Sequence, residues 1–223
     1  MSYQIAHRGW SKGVPEENTR NAFRRAEEAG MHGVEFDVRW SDQRAEPVVC
    51  HYAWQEKDAE SLDEALAFLS TTSFSVLLLE LKEYHPFLWS EMKRLLVYYG
   101  LMDRTVVFAF PRVAKKFPWE TRDRMRLGII SIFPWRINHY AKLKPSIILF
   151  GYDERTWTQL LFRAIWWDSS LRKLFHAHPD VGFVIGVAQN DTHISHLDGL
   201  EGLYGYTVDK KGEDAKHESR SKN

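Results

Sequence analysis

The chain has 223 residues, 44% of them hydrophobic, which is enough to bury a sizeable core and favours one large domain. Its 30 Lys and Arg balance 30 Asp and Glu, so the overall charge points to neither nucleic acid nor an anionic membrane surface and leaves open only a local basic pocket. The lone Cys50 excludes an internal disulfide framework, and no apolar run reaches the roughly 18–20 residues that span a bilayer.

The opening "MSYQIAHRG" has no basic segment followed by an apolar one, and with the single cysteine it predicts a cytoplasmic protein. From there, short runs rich in β-branched residues alternate with segments of helical period. The predicted strands are "YQIAH", "GVEFDVR", "SVLLLELK", "TVVFAF", "RLGIISI", "SIILF", "GFVIGV" and "LYGYTVD".

Between the first two strands, Ala22, Phe23, Ala26 and Ala29 recur at helical spacing, with Asn18 or Thr19 as N-cap and Gly30 as C-terminal stop. Helical spacing continues in "SLDEALAFL", "PFLWSEMKRLLVYYG", "PRVAKKFPWETRDRM", "PWRINHYAKL", "ERTWTQLLFRAIWWDSSLRKLF" and "DTHISHLDGL". One additional run, "EPVVCH", follows the second strand and predicts a short hairpin over the mouth of the fold.

Strands alternating with helices imply parallel pairing and right-handed crossovers, and eight such units in this length suit a single-domain α/β fold, a (β/α)8 TIM barrel over residues 1–209. An open doubly wound sheet fits less well, because "HRGWSKG" lacks the G-x-G-x-x-G spacing of a dinucleotide-binding turn. The polar tail 210–223, "KKGEDAKHESRSKN", is expected to be disordered.

A barrel places its chemistry at the C-terminal ends of its strands, and the polar exceptions in the apolar runs sit there. Glu35 and Asp37 in "VEFDV" are two apart and share one face of a strand, as do Glu80 and Lys82 in "LLLELK". His7 and Arg8 end the first strand and His51 ends the hairpin. Inward charges are costly unless paired or bound to metal. Three carboxylates meeting at one mouth would offer all-oxygen ligation to a hard divalent cation, Mg²⁺ or Ca²⁺; a structural ion-pair network is the alternative.

Taken in order, "HRG", "PEENTRNAF", "GVEFDVRWSD", "PVVCH", "LLLELK" and "YTVD" resemble the motif series of the glycerophosphodiester phosphodiesterases. The agreement is densest over residues 6–52, continues to 82, and is sparse until 184–209. The resemblance implies a (β/α)8 barrel that hydrolyses glycerophosphodiesters to glycerol 3-phosphate and an alcohol with one divalent cation. It implies His7 and His51 as the acid and base pair, in either order. Glu35, Asp37 and Glu80 become the metal ligands, Arg8 and Lys82 the phosphate contacts, and Glu17 a secondary site residue.

Those residue types suit that reaction. A phosphodiester repels an incoming nucleophile and gains charge on its non-bridging oxygens, which a cation and basic side chains neutralise. One imidazole can take a proton from the nucleophile, whether water or a neighbouring glycerol hydroxyl, while the other protonates the leaving alkoxide.

The chain departs from the family in three places. Tyr52 stands where the histidine is usually followed by aspartate, Val187 stands where a tryptophan is usual, and only a short stretch separates His51 from "SLDEAL", leaving no room for a substrate-covering insertion. These departures motivate a second reading, a catalytically degenerate phosphate-binding barrel.

The remaining features carry bland expectations. The pairs His176/His178 and His193/His196 read as surface histidines, and Cys50 as a packing residue. The aromatics of "FPW", "FPWRINHY" and "AIWWD" are expected to pack helices on the barrel; the alternative is an apolar lip that would admit acyl chains and make lysophospholipids substrates of a lysophospholipase D-type activity. No G-x-S-x-G elbow, G-x-x-x-x-G-K-[ST] loop or C-x-x-C pair is present, which removes those classes.

Overall fold

The computed structural model describes residues 2–11, 13–119, 125–151, 160, 162, 168–188 and 191–209. In chain order its strands are β1 (Tyr3–Ala6), β2 (Gly33–Ser41), β3 (Glu46–Val49), β4 (Glu60–Ser61), β5 (Val76–Leu81), β6 (Thr105–Ala109), β7 (Arg126–Ser131), β8 (Ile147–Phe150), β9 (Gly182–Ala188) and β10 (Gly205–Val208). All but β3 and β4 pair in parallel with their sequence neighbours, and β1 pairs with both β2 and β10. The sheet therefore closes into an eight-stranded barrel, as the alternating pattern predicts.

The helices between the strands are α1 (Arg20–Glu28), α2 (Leu62–Ser70), α3 (Pro86–Tyr98), α4 (Pro111–Ala114), α5 (Ile137–Ala141), α6 (Asp168–Ala177) and α7 (Asp191–Asp198). The Thr19 hydroxyl caps α1 by accepting from the Ala22 N–H at 3.2 Å. A reciprocal Ser61 and Glu64 capping box starts α2. The helical spacing of 111–125 is realised only as far as Ala114, after which the chain turns. Pro118 lacks an amide hydrogen and bars its predecessor from helical geometry, so the segment cannot continue as one helix.

Two apolar layers follow from the period-two alternation of the strands. Ile5, Val76, Leu78, Val106, Phe108, Ile130, Ile147 and Val184 face inward and fill the barrel. Their neighbours, such as Phe36, Leu77, Leu79, Val107 and Phe183, face outward and meet α1, α2 and the other helices. The hairpin forms as expected: β3 runs antiparallel to the upper end of β2, with Val49 opposite Val38. Its return brings Cys50 and His51 back to the mouth, and the two-residue β4 then pairs with β3.

The predicted tail 210–223, most of the long segment before α6 with its "AIWWD" aromatics, and the side chain of His193 lie outside the described residues. Among the described residues, no helix is long and apolar enough to cross a membrane.

Candidate active site

Parity along the strands decides which side chains enter the mouth. On β5, Val76 and Leu78 point inward, so Glu80 does too, and Lys82 follows two residues later. On β2 the inward positions are Gly33, Glu35 and Asp37, and register sets Asp37 directly beside Glu80. The turn after β1 presents His7 and Arg8. Arg8 and Gly9 both adopt positive φ, +52° and +79°, and a Cβ on Gly9 would lie 2.7 Å from that of Ala22, so only glycine fits there.

These elements converge on one cavity of about 240 Å³ at the C-terminal end of the barrel. His7, Arg8, Glu35, His51, Glu80 and Lys82 form one side of it. Phe108, Phe110, Ile130, Ile132, Leu149 and Val187 form the other. The polar half comes from β1, β2, the hairpin and β5, and the apolar half from β6 to β9.

Glu35, Asp37 and Glu80 are buried and offer oxygens that all lie within 4.8 Å of one another. Crowding and dryness distort their titration. Burial, reinforced by the Asp37 charge, pushes Glu35 up to about 8 and raises Glu80 as well. Burial also works against ionised Asp37, but His51, Lys82 and Arg8 overcome it and hold that carboxyl well below its usual range. Such a trio is suited to a hard cation, because a divalent ion would supply the charge that two of the three carboxyls need in order to ionise.

Both imidazoles are oriented in the same way. His7 Nδ1 is 2.7 Å from Asp209 Oδ1, and its Nε2 is 3.9 Å from Glu35 Oε2. Nδ1 of His51 is 3.0 Å from Asp37 Oδ2, and its Nε2 is 3.4 Å from an Arg8 guanidinium nitrogen. In each ring a carboxylate fixes Nδ1 and leaves Nε2 towards the cavity, the arrangement that sets a tautomer for proton transfer. Burial disfavours charge on His7, but Asp209 and then Glu35 outweigh it and hold the imidazole up at about 9.

The remaining sequence-predicted residues join the same cluster. Arg8 donates to Glu17 at 3.1 Å and approaches Asp37 at 3.3 Å, and its backbone N–H donates to Glu35 at 3.0 Å. Lys82 lies 2.7 Å from Glu80 and 3.1 Å from Asp37, so its ammonium is drawn into the carboxylates, which raise its pKa against the effect of burial. Cys50 is buried beside His51, and burial pushes its thiol up to about 12, which suits packing and not nucleophilic attack.

Two residues of this cluster were not singled out from the sequence. Asp209 ends "YTVD" two residues beyond inward-facing Thr207, the same spacing that marks Glu35/Asp37 and Glu80/Lys82. Asn18, in "ENT", clamps Asp37 from both sides: its amide donates to Oδ2 at 3.0 Å and its carbonyl accepts the Asp37 N–H at 2.9 Å. Tyr52 makes an edge contact with His51 and stacks on Trp54. Although Tyr52 is no carboxylate, His51 still has one in Asp37.

The sequence profile of the glycerophosphoryl diester phosphodiesterase family matches residues 7–65, the stretch that carries His7, Arg8, Glu17, Glu35, Asp37 and His51. Over that stretch the chain is similar to the glycerophosphoryl diester phosphodiesterase family. No curated protein matches the chain in sequence.

Solved structures of low identity share the fold. An Oleispira antarctica phosphodiesterase in complex with the product sn-glycerol-3-phosphate is 16% identical, with 93% of each chain covered and a TM-score of 0.71. A glycerophosphodiester phosphodiesterase from Parabacteroides distasonis is 18% identical over 99% of this chain and 98% of that one, with a TM-score of 0.67. One from Agrobacterium tumefaciens is 16% identical over 95% and 96%, with a TM-score of 0.63.

Proposed function

We propose that this chain hydrolyses glycerophosphodiesters to glycerol 3-phosphate and an alcohol, with His7 and His51 as the acid and base pair. The observation that carries this reading is the meeting of two carboxylate-oriented imidazoles with a buried carboxylate trio at one barrel mouth. The product named with the Oleispira antarctica phosphodiesterase of the same fold supports glycerol 3-phosphate as the released half.

Glu35, Asp37 and Glu80 would hold the divalent cation, Mg²⁺ or Ca²⁺. When bound there it would supply positive charge to the phosphoryl oxygens as they become more negative. Arg8 and Lys82 would add two further positive charges beside the same group, and Glu17 steadies Arg8 from behind.

One histidine, through its cavity-facing Nε2, takes the proton from the attacking hydroxyl. The other returns a proton to the departing alkoxide, which is too basic to leave unaided at neutral pH. Asp209 and Asp37 keep each ring turned for its transfer. The apolar wall from β6 to β9 limits the access of water and, with a lysophospholipid, would receive the acyl chain carried on the glycerol half. That wall also favours lysophospholipids among the substrates, since an acyl chain matches Phe108, Ile130 and Leu149 better than a free sugar or amine would. A cytoplasmic location completes the reading, in keeping with a chain whose one cysteine, Cys50, offers no internal disulfide framework.

Incubating the full chain with glycerophosphocholine and Mg²⁺ or Ca²⁺ tests the proposal. Release of glycerol 3-phosphate that stops with chelator is the expected result. A folded protein that releases none with either cation would leave the degenerate phosphate-binding barrel as the better account.

A further inference from the structure

We propose that the sector of the mouth formed by residues 110–116, after β6, and 132–136, after β7, docks on an anionic lipid surface, delivering the substrate phosphodiester to the cavity from that surface. The inference deepens the hydrolase reading and rests on it only for what the docking delivers.

Three observations converge on this sector. First, the apolar half of the cavity does not end at the rim. Phe110 lines the cavity and is 38% exposed, and beyond it Phe133 and Trp135 stack on each other while 42% and 64% exposed. A globular protein seldom leaves a stacked aromatic pair in water next to its cavity without a use for it. Aromatic rings, and tryptophan above all, are at home at the boundary between head groups and acyl chains.

Second, the charge among the described residues of these loops has one sign. Arg112, Lys115, Lys116 and Arg136 are all exposed, and the described parts of 110–144 contain no Asp or Glu. The acids Glu120 and Asp123 lie outside the described residues, and Arg126, Lys142 and Lys144 sit at or before the starts of β7 and β8, at the opposite end of the barrel, so the described mouth-side loops carry four exposed cations. That asymmetry complements an anionic leaflet, which attracts basic segments next to it.

Third, the patch is continuous with the cavity. An amphipathic molecule leaving a bilayer with its phosphate towards Arg8 and Lys82 would keep its acyl part against Phe110, Ile132 and Leu149 throughout. The loop after the hairpin does not share this character, since Trp54 there is followed by Glu56, Asp58 and Glu60. Contact is thereby confined to one side of the mouth, and the hairpin side stays in water.

Flotation of the full chain with vesicles, in chelator so that no turnover occurs, tests the docking. Vesicles of phosphatidylcholine with phosphatidylglycerol are expected to carry the protein, and phosphatidylcholine alone to carry much less. Phe133→Ser/Trp135→Ser and, separately, Arg112→Glu/Lys115→Glu should each lower the vesicle-bound fraction roughly tenfold. Both variants should keep wild-type turnover of soluble glycerophosphocholine and lose turnover of lysophosphatidylglycerol presented in vesicles.

Wild-type protein that ignores both vesicle types, or two folded variants that float as well as wild type, would overturn the docking. Concentration-dependent self-association through the patch without vesicle binding would overturn it too. Flotation that survives while glycerophosphocholine is not hydrolysed would sink the hydrolase reading alone and leave the docking standing.

Discussion

Asp209, at the end of the last strand, meets His7, at the end of the first, with 2.7 Å between Oδ1 and Nδ1. The contact exists because β1 and β10 are neighbours only after the barrel has closed. Asp209→Asn keeps the shape but lets the ring accept the wrong tautomer, so turnover should fall by about 10²-fold or more with little change in KM.

The same pair gives a pH signature in stability. His7 stands at about 9 in the fold against an ordinary value near 6.5, so its contribution is fully present below about pH 6.5 and lost as pH rises through about 9. Asp209 is held below its ordinary range by His7, against the effect of burial, and its own contribution is lost only as the solution becomes strongly acidic. In chelator, the gap in unfolding midpoint between wild type and Asp209→Asn should therefore be wide at pH 6 and narrow at pH 10. A gap that is constant across that range would contradict the assignment.

Cation binding should release protons. Glu35 is held up to about 8 and Glu80 is raised in the same direction, and both must ionise to ligate. Apparent affinity for Mg²⁺ or Ca²⁺ should rise between pH 6 and 8 and level off above. Calorimetry in two buffers of different ionisation heat reads the released protons directly. Glu80→Gln should weaken the cation by roughly 10- to 100-fold or more.

Replacing either imidazole separates proton transfer from ligation. His7→Ala and His51→Ala should each lower turnover by about 10²- to 10⁴-fold while leaving cation affinity within a few-fold of wild type. Near-normal rates in one variant would remove that residue from the chemistry.

Gly9→Ala tests the turn that presents His7 and Arg8. With φ at +79° and a new methyl 2.7 Å from the Ala22 Cβ, the substitution should cost about 1–3 kcal/mol in urea unfolding and lower activity through the displaced first loop. A variant as stable and active as wild type would show that the turn can shift without consequence.

Most of the barrel was legible in the sequence because each of the eight barrel strands carries a short apolar run and each crossover a helical period. The site was legible where two polar residues stood two apart at a strand end, as in Glu35/Asp37 and Glu80/Lys82. Asp209 obeyed the same rule but appeared as a single acid next to a polar tail, and its partner lies 202 residues away in the chain. Asn18 read only as a helix cap, because its grip on Asp37 depends on how α1 seats against β2. The helical period of 111–125 overstates α4, because periodicity does not register the break that Pro118 imposes.

The two halves of the cavity come from different strands, and this separates what the protein can change from what it cannot. Mutations among the aliphatic and aromatic linings of β6 to β9 can reshape the organic groups that are accepted while every proton-carrying group stays where it is. A lineage built this way can drift from one head group to another by ordinary core substitutions, with the bond-breaking apparatus inherited intact.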